Sequence, residues 1–158
     1  AEVDQYGNVN VSKFGDRNDG AGGFINIAEG AKKVIFSGTL TSSGLKTTIN
    51  DGRLKILNEG KNKKFIKKVK QITYSSKLGT KRGQTIIFNT DRGVFKFIKN
   101  KITLIEIAQG VRLKEDILNQ INFPIKISNK LKQISKSLYL NKKIGLKKSI
   151  RKKNYGSK

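Results

Sequence analysis

Gly20-Ala21-Gly22-Gly23-Phe24-Ile25-Asn26-Ile27-Ala28-Glu29-Gly30, followed by Lys33-Val34-Ile35-Phe36, is the stretch that decides the fold. Four small residues open it, three of them glycines, and a loop is the only conformation they favour. Phe24 to Gly30 then fits a short helix closed by Gly30, because glycine accepts the backbone that ends a helix. Lys33 to Phe36 is a short apolar run of the buried-strand kind. Loop, helix and strand in succession belong to a mixed fold and exclude a helical bundle.

The pattern extends both ways. Upstream, Gly15 to Gly23 is one continuous loop, and Val9, Val11 and Phe14 alternate with polar residues after the turn at Gly7-Asn8, which reads as a strand. Ala1 to Val3 is the stub of another strand, and a chain that opens on a stub is expected to be a truncation. Downstream, Gly38 to Gly44 reads as a loop. Leu54–Leu57, Gln84–Asn89, Val94–Ile98 and Ile102–Ile107 read as short strands, and Asn50-Asp51-Gly52-Arg53 is a hairpin turn. Residues 61–73 fit a helix through Phe65, Ile66, Val69 and Ile72, and equally a strand from Val69 to Tyr74. The spacing predicts a helix over Leu113–Asn122, with Leu113, Ile117, Leu118 and Ile121 on one face and Glu115 and Asp116 in its first turns. Beyond Ser128, the spacing of Leu131, Ile134 and Leu138 predicts a second, weaker helix in a lysine-rich tail.

The 158 residues suffice for one domain with a real core. There is no Cys, His, Met or Trp. That excludes zinc fingers, haem and iron–sulfur ligation, disulfides, and serine–histidine or cysteine nucleophiles. No metal site is expected. No apolar run approaches the roughly 18 residues of a membrane span, and the acidic start lacks the apolar stretch of a secretory signal. The expected location is the cytoplasm, with no membrane partner.

The formal charge of +23 is unevenly spread. Residues 1–60 are neutral, with seven basic and seven acidic side chains, whereas 61–125 carry +11 and 126–158 carry +12 with no acidic residue. Such a surface suits a polyanion, since neutralised phosphates release counterions. Yet 28 of the 34 basic residues are Lys, the poorer planar reader of bases and phosphates. The runs Lys61–Lys70 and Lys142–Lys153 are most simply solvated faces. Phe65 is the only aromatic inside the first run, and Tyr139 and Tyr155 flank the second.

Chemistry without His or Cys falls to backbone amides and carboxylates. Adjacent glycine N–H groups can face a developing oxyanion. Asp16 and Asp19 flank the loop, as turn-forming aspartates do. Glu106 alternates with apolar residues in a strand, and no two carboxylates have convincing acid–base spacing.

Three blocks resemble one family. Gly7-Asn8-Val9-Asn10-Val11-Ser12-Lys13-Phe14, Gly20 to Ile27, and Lys32-Lys33-Val34-Ile35-Phe36-Ser37-Gly38-Thr39 are similar to the C-terminal part of family I CoA-transferases, of the acetate or propionate type. The resemblance continues in register through Lys63-Lys64-Phe65, Gln71 to Tyr74, Lys81 to Gln84, Thr90-Asp91-Arg92-Gly93-Val94-Phe95, Leu104 to Ala108 and Asp116 to Leu118. It implies an α/β fold: an open sheet with helices on its faces, here an incomplete domain. Residues 1–128 would be the C-terminal part of the second CoA-transferase domain, and 129–158 a lysine-rich segment, partly helical or disordered. It also implies the chemistry. A glutamate attacks an acyl-CoA thioester, a glutamyl-CoA thioester forms, and a second short-chain carboxylic acid receives the CoA.

Coenzyme A is then a substrate, and no cofactor is implied. Gly20, Ala21, Gly22, Gly23 and Phe24 inherit the substrate and CoA loop. The family's glutamate lies upstream of the Gly-Asn-Val-Asn block, so no residue here inherits it. The family often has Phe and Gly where Leu40 and Ser43 stand, and Pro in place of Gln109. The chain is expected to be inactive alone, to need the missing N-terminal part of the enzyme as partner, and to form a homo-oligomer at full length. The alternative expectation is a non-enzymatic basic module that binds RNA or another polyanion.

Overall fold

In a computed structural model, which describes residues 1–145, the chain folds around two sheets. The larger has five strands in the order Lys126–Gln133, Lys101–Ile107, Gly93–Ile98, Thr85–Asn89, Lys33–Ser37. Its three middle strands run antiparallel, and each outer strand pairs in parallel with its neighbour. The smaller sheet orders Phe65–Ile66, Glu2–Asp4, Asn8–Asn10 and Tyr74–Ser75.

Alternation along the strands builds the core. Val34, Ile86, Phe88, Phe95 and Phe97 of the large sheet meet Val3, Val9, Phe65 and Tyr74 of the small one. Ala28 of the helix Phe24–Gly30 joins the same cluster, and the helix Ser76–Lys81 packs on Thr85–Asn89. Phe65 lies 4.9 Å from Phe95 and 6.2 Å from Phe88, ring centre to ring centre, which ties the two sheets together. The strand stub at the start, the helix Phe24–Gly30 and the four later strands therefore match their sequence patterns. So does the hairpin of Lys46–Asn50 with Arg53–Asn58, whose turn residues Asp51 and Gly52 both take positive φ.

The loops expected over Gly15–Gly23 and Gly38–Gly44 each hold a two-residue strand, Arg17–Asn18 and Thr41–Ser42, and three longer segments differ more. Residues 61–73 form neither a helix nor one strand; two two-residue pairings, Asn62–Lys63 and Phe65–Ile66, leave Val69 buried in irregular chain. Leu113–Asn122 is not a regular helix but a π turn over Leu113–Ile117 and a 3-10 turn over Leu118–Gln120. The expected helix beyond Ser128 is a strand, Lys126–Gln133, with only a 3-10 turn at Lys136–Tyr139. Glu106 opposes Lys132 and Ile107 opposes Gln133, so sheet pairing crosses the expected division at 128/129. Tyr155 and the lysine run beyond residue 145 lie outside the described residues. Among the described residues no helix is long and apolar enough to cross a membrane.

Candidate functional site

The glycine loop is reached by a small hairpin, Lys13–Phe14 with Arg17–Asn18. The main-chain oxygen of Ser12 accepts from Asp19 N–H at 2.8 Å and from Gly20 N–H at 3.3 Å, which fixes the loop's entry. Gly20 and Gly22 have φ of +76° and +51°, the left-handed region that glycine enters without a Cβ clash. At the exit, Phe24 N–H donates to Ala21 O at 3.1 Å, and Ile27 N–H to Gly23 O at 3.1 Å. The Phe24 ring turns inward and stacks on Phe36, 5.8 Å between centres.

The five predicted site residues therefore divide. The amides of Gly20 and Phe24 already serve the loop's own backbone. Those of Ala21, Gly22 and Gly23 have no acceptor among the described residues. Beside them is an open cleft of about 430 Å³ lined partly by Ser12, Lys13, Gly20, Ala21, Ile72 and Thr73. Its hydroxyls are paired, Ser12 Oγ to Thr73 Oγ1 at 2.8 Å. Asp19 closes an ion pair with Arg17 at 2.6 Å, and Asp16 one with Lys70 at 3.6 Å, so both aspartates keep a local role.

A second, smaller cavity of about 150 Å³ opens beyond the C-terminal ends of Lys33–Ser37 and Thr85–Asn89. In open α/β sheets this is where ligands bind. Phe36, Phe65 and Phe88 wall it, and Lys64 stands at its edge, donating from Nζ to Thr39 Oγ1 at 2.9 Å. The sequence reading placed Lys64 on a solvated lysine face, and only its position between Lys63 and Phe65 hinted otherwise.

A third feature was also missed. Arg92 is fully buried. Its Nη1 donates to Glu59 Oε2 at 2.7 Å and to Asp116 O at 2.9 Å, its Nη2 to Glu59 Oε1 at 3.2 Å, and its Nε to Asp91 Oδ2 at 3.0 Å. Asp91 Oδ1 in turn accepts from Leu40 N–H at 2.8 Å, and Glu59 accepts from Gly60 N–H and Thr41 Oγ1. Burial pushes the Glu59 carboxyl up, but the hydrogen bonds from Arg92, Thr41 and Gly60 outweigh it and hold the pKa below the ordinary value. Asp116 behaves alike: burial raises it, and the Arg112 side chain and N–H bring it below. This knot joins the loop before Lys64 to the large sheet.

The acetate CoA-transferase YdiF of Escherichia coli strain K12 is 46% identical over 145 residues, 92% of this chain. The caffeate CoA-transferase of Acetobacterium woodii is 45% identical over 151 residues. Over 92% of its length the chain is similar to part of the CoA-transferases. A solved structure of the E. coli O157:H7 acyl-CoA transferase YdiF, a thioester complex with CoA, superposes with a TM-score of 0.87 at 47% identity over 89% of this chain. The glutaconate CoA-transferase of Acidaminococcus fermentans, at 20% identity and a TM-score of 0.63, shares the fold. No family model matches. The chain spans 27% to 29% of the length of the curated CoA-transferases it matches.

Proposed function

We propose that this chain is the C-terminal portion of a CoA-transferase that moves CoA between a short-chain acyl-CoA and a carboxylic acid. Residues 1–128 make part of the second catalytic domain, and the attacking glutamate belongs to polypeptide outside this chain. Acetate and propionate are the acids in this reading, short-chain fatty acid metabolism its setting, and the cytoplasm its location. The whole enzyme is a homo-oligomer, and this chain is inactive alone. The observation that carries the reading is the identity of about 46% to CoA-transferases across 92% of the chain.

The geometry gives the loop its task. When glutamate adds to a thioester carbonyl, negative charge grows on the carbonyl oxygen. Backbone donors fixed in advance stabilise that charge without reorganising. The amides of Ala21, Gly22 and Gly23 are the unoccupied donors, while Gly20 and Phe24 hold the loop's shape.

The test joins this chain to the remaining sequence of a CoA-transferase relative and measures acetyl-CoA turnover. Gly23 has φ −79°, which the proline ring accepts, so Gly23→Pro removes one donor with little change of backbone. A fall in kcat of about 10²-fold is expected. An unchanged kcat in the variant, or no turnover by the joined protein, overturns the reading.

A further inference from the structure

The two ends of the large sheet are built differently. Lys126–Gln133 carries Lys126, Lys130 and Lys132, and its register slips against Lys101–Ile107 between Leu104 and Glu106. Lysines and irregular pairing are how proteins keep an edge strand from recruiting others. Lys33–Ser37, at the opposite end, has neither device in its middle. It pairs in unbroken register with Thr85–Asn89, from Lys33↔Thr85 to Ser37↔Asn89.

A parallel ladder uses alternate residues of each strand. Thr85 N–H donates to Lys32 O, and Gly38 N–H to Asn89 O, so even-numbered residues bond the neighbour. The N–H and C=O groups of Lys33, Ile35 and Ser37 point to the open side, where no strand pairs with them among the described residues. Ile35 is 53% exposed, and its register partner Ile87 is half-buried on the same face. Ala1 lines the same cavity as Ser37 and Gly38, so the first residue lies close to the end of this strand.

We propose that the open side of Lys33–Ser37 is the docking edge for a β-strand of CoA-transferase polypeptide outside this chain. The inference rests on the family reading above. That occupant is favoured over a second copy because the curated relatives are more than three times longer than the matched part, and the missing length must meet this piece somewhere. A copy of this chain would bring its own large positive charge to the contact.

The experiment mixes this chain with the remainder of a CoA-transferase relative as a separate polypeptide, and reads complex formation by analytical ultracentrifugation and CoA transfer by assay. Ile35→Pro removes a donor aimed at the open side while sparing the bonds to Thr85–Asn89, as edge prolines do. It is expected to weaken the complex at least tenfold, whereas Lys130→Ala leaves it unchanged. Amide exchange provides a reading that needs no variant: Ile35 and Ser37 should become at least 100-fold more protected in the complex.

No complex, a complex without that protection, or one indifferent to Ile35→Pro overturns the proposal. So does self-association of this chain that Ile35→Pro abolishes. A complex that needs Ile35 but transfers no CoA supports the edge and sinks the catalytic reading. Transfer that survives Ile35→Pro does the reverse.

Discussion

The glycine loop and the Arg92 knot are opposite solutions to the same problem, the placing of polar groups. Around Arg92 each buried donor and acceptor named above has a partner: the guanidinium bridges Glu59, Asp91 and Asp116, and Asp91 ties in the Leu40 N–H. In the loop, three consecutive amides have no acceptor among the described residues, and Ala21, the first of them, lines the cleft. The contrast separates the parts that hold the fold from the parts left available for a ligand. Satisfied polar groups stabilise, and unsatisfied exposed donors cost little while wet, so they can be kept for a substrate.

Breaking the knot should have the largest effect. Arg92→Met leaves Glu59 and Asp91 without their cation and should cost about 3 kcal/mol or more, as removal of one partner of a buried pair does; a urea titration reads it, and a loss below 1 kcal/mol would show the knot to be ornamental. Next is Gly60→Ala beside the same knot. A Cβ there would meet Ser42 O at 2.5 Å and Ser42 N at 2.7 Å, main-chain atoms that cannot step aside. A loss of about 2 kcal/mol is expected, of the size overpacking causes.

Acid probes the knot without mutation. Glu59 and Asp116 have folded pKa values below their unfolded ones. Their contribution is therefore complete above the unfolded carboxylate range and disappears as pH falls through the lower folded values. Thermal stability should drop below about pH 4, and less steeply in Glu59→Gln. The smallest effect belongs to the loop. Gly22→Ala puts a side chain at φ +51° but into open space, so it should cost about 1 kcal/mol of melting stability from backbone strain alone. A loss as large as that of Arg92→Met would erase the distinction between the two regions.

The sequence made the local elements legible where one physical rule governed. Asn50-Asp51-Gly52-Arg53 folds as its turn chemistry requires, and Phe24 to Gly30 is helical to the residue. Legibility failed where tertiary partners decided. Leu131, Ile134 and Leu138 have helical spacing, yet the parallel edge of Lys101–Ile107 draws Leu131 into a strand. Asp116 looked like a charge suited to a helix start. It instead folds back on Arg112 and gives its carbonyl to Arg92, which accompanies the π turn in place of a regular helix. The loop was legible as a loop, but which of its amides stay open depended on Ser12 and Ala21 carbonyls that no motif marks.

The unlike rims of the five-stranded sheet also set a stoichiometry. A strand can be added beside Lys33–Ser37, whereas the lysine-fringed rim at Lys126–Gln133 resists a second addition. Such a piece can complete another sheet once and then stop, and fibrous growth through stacked copies has no second end from which to continue.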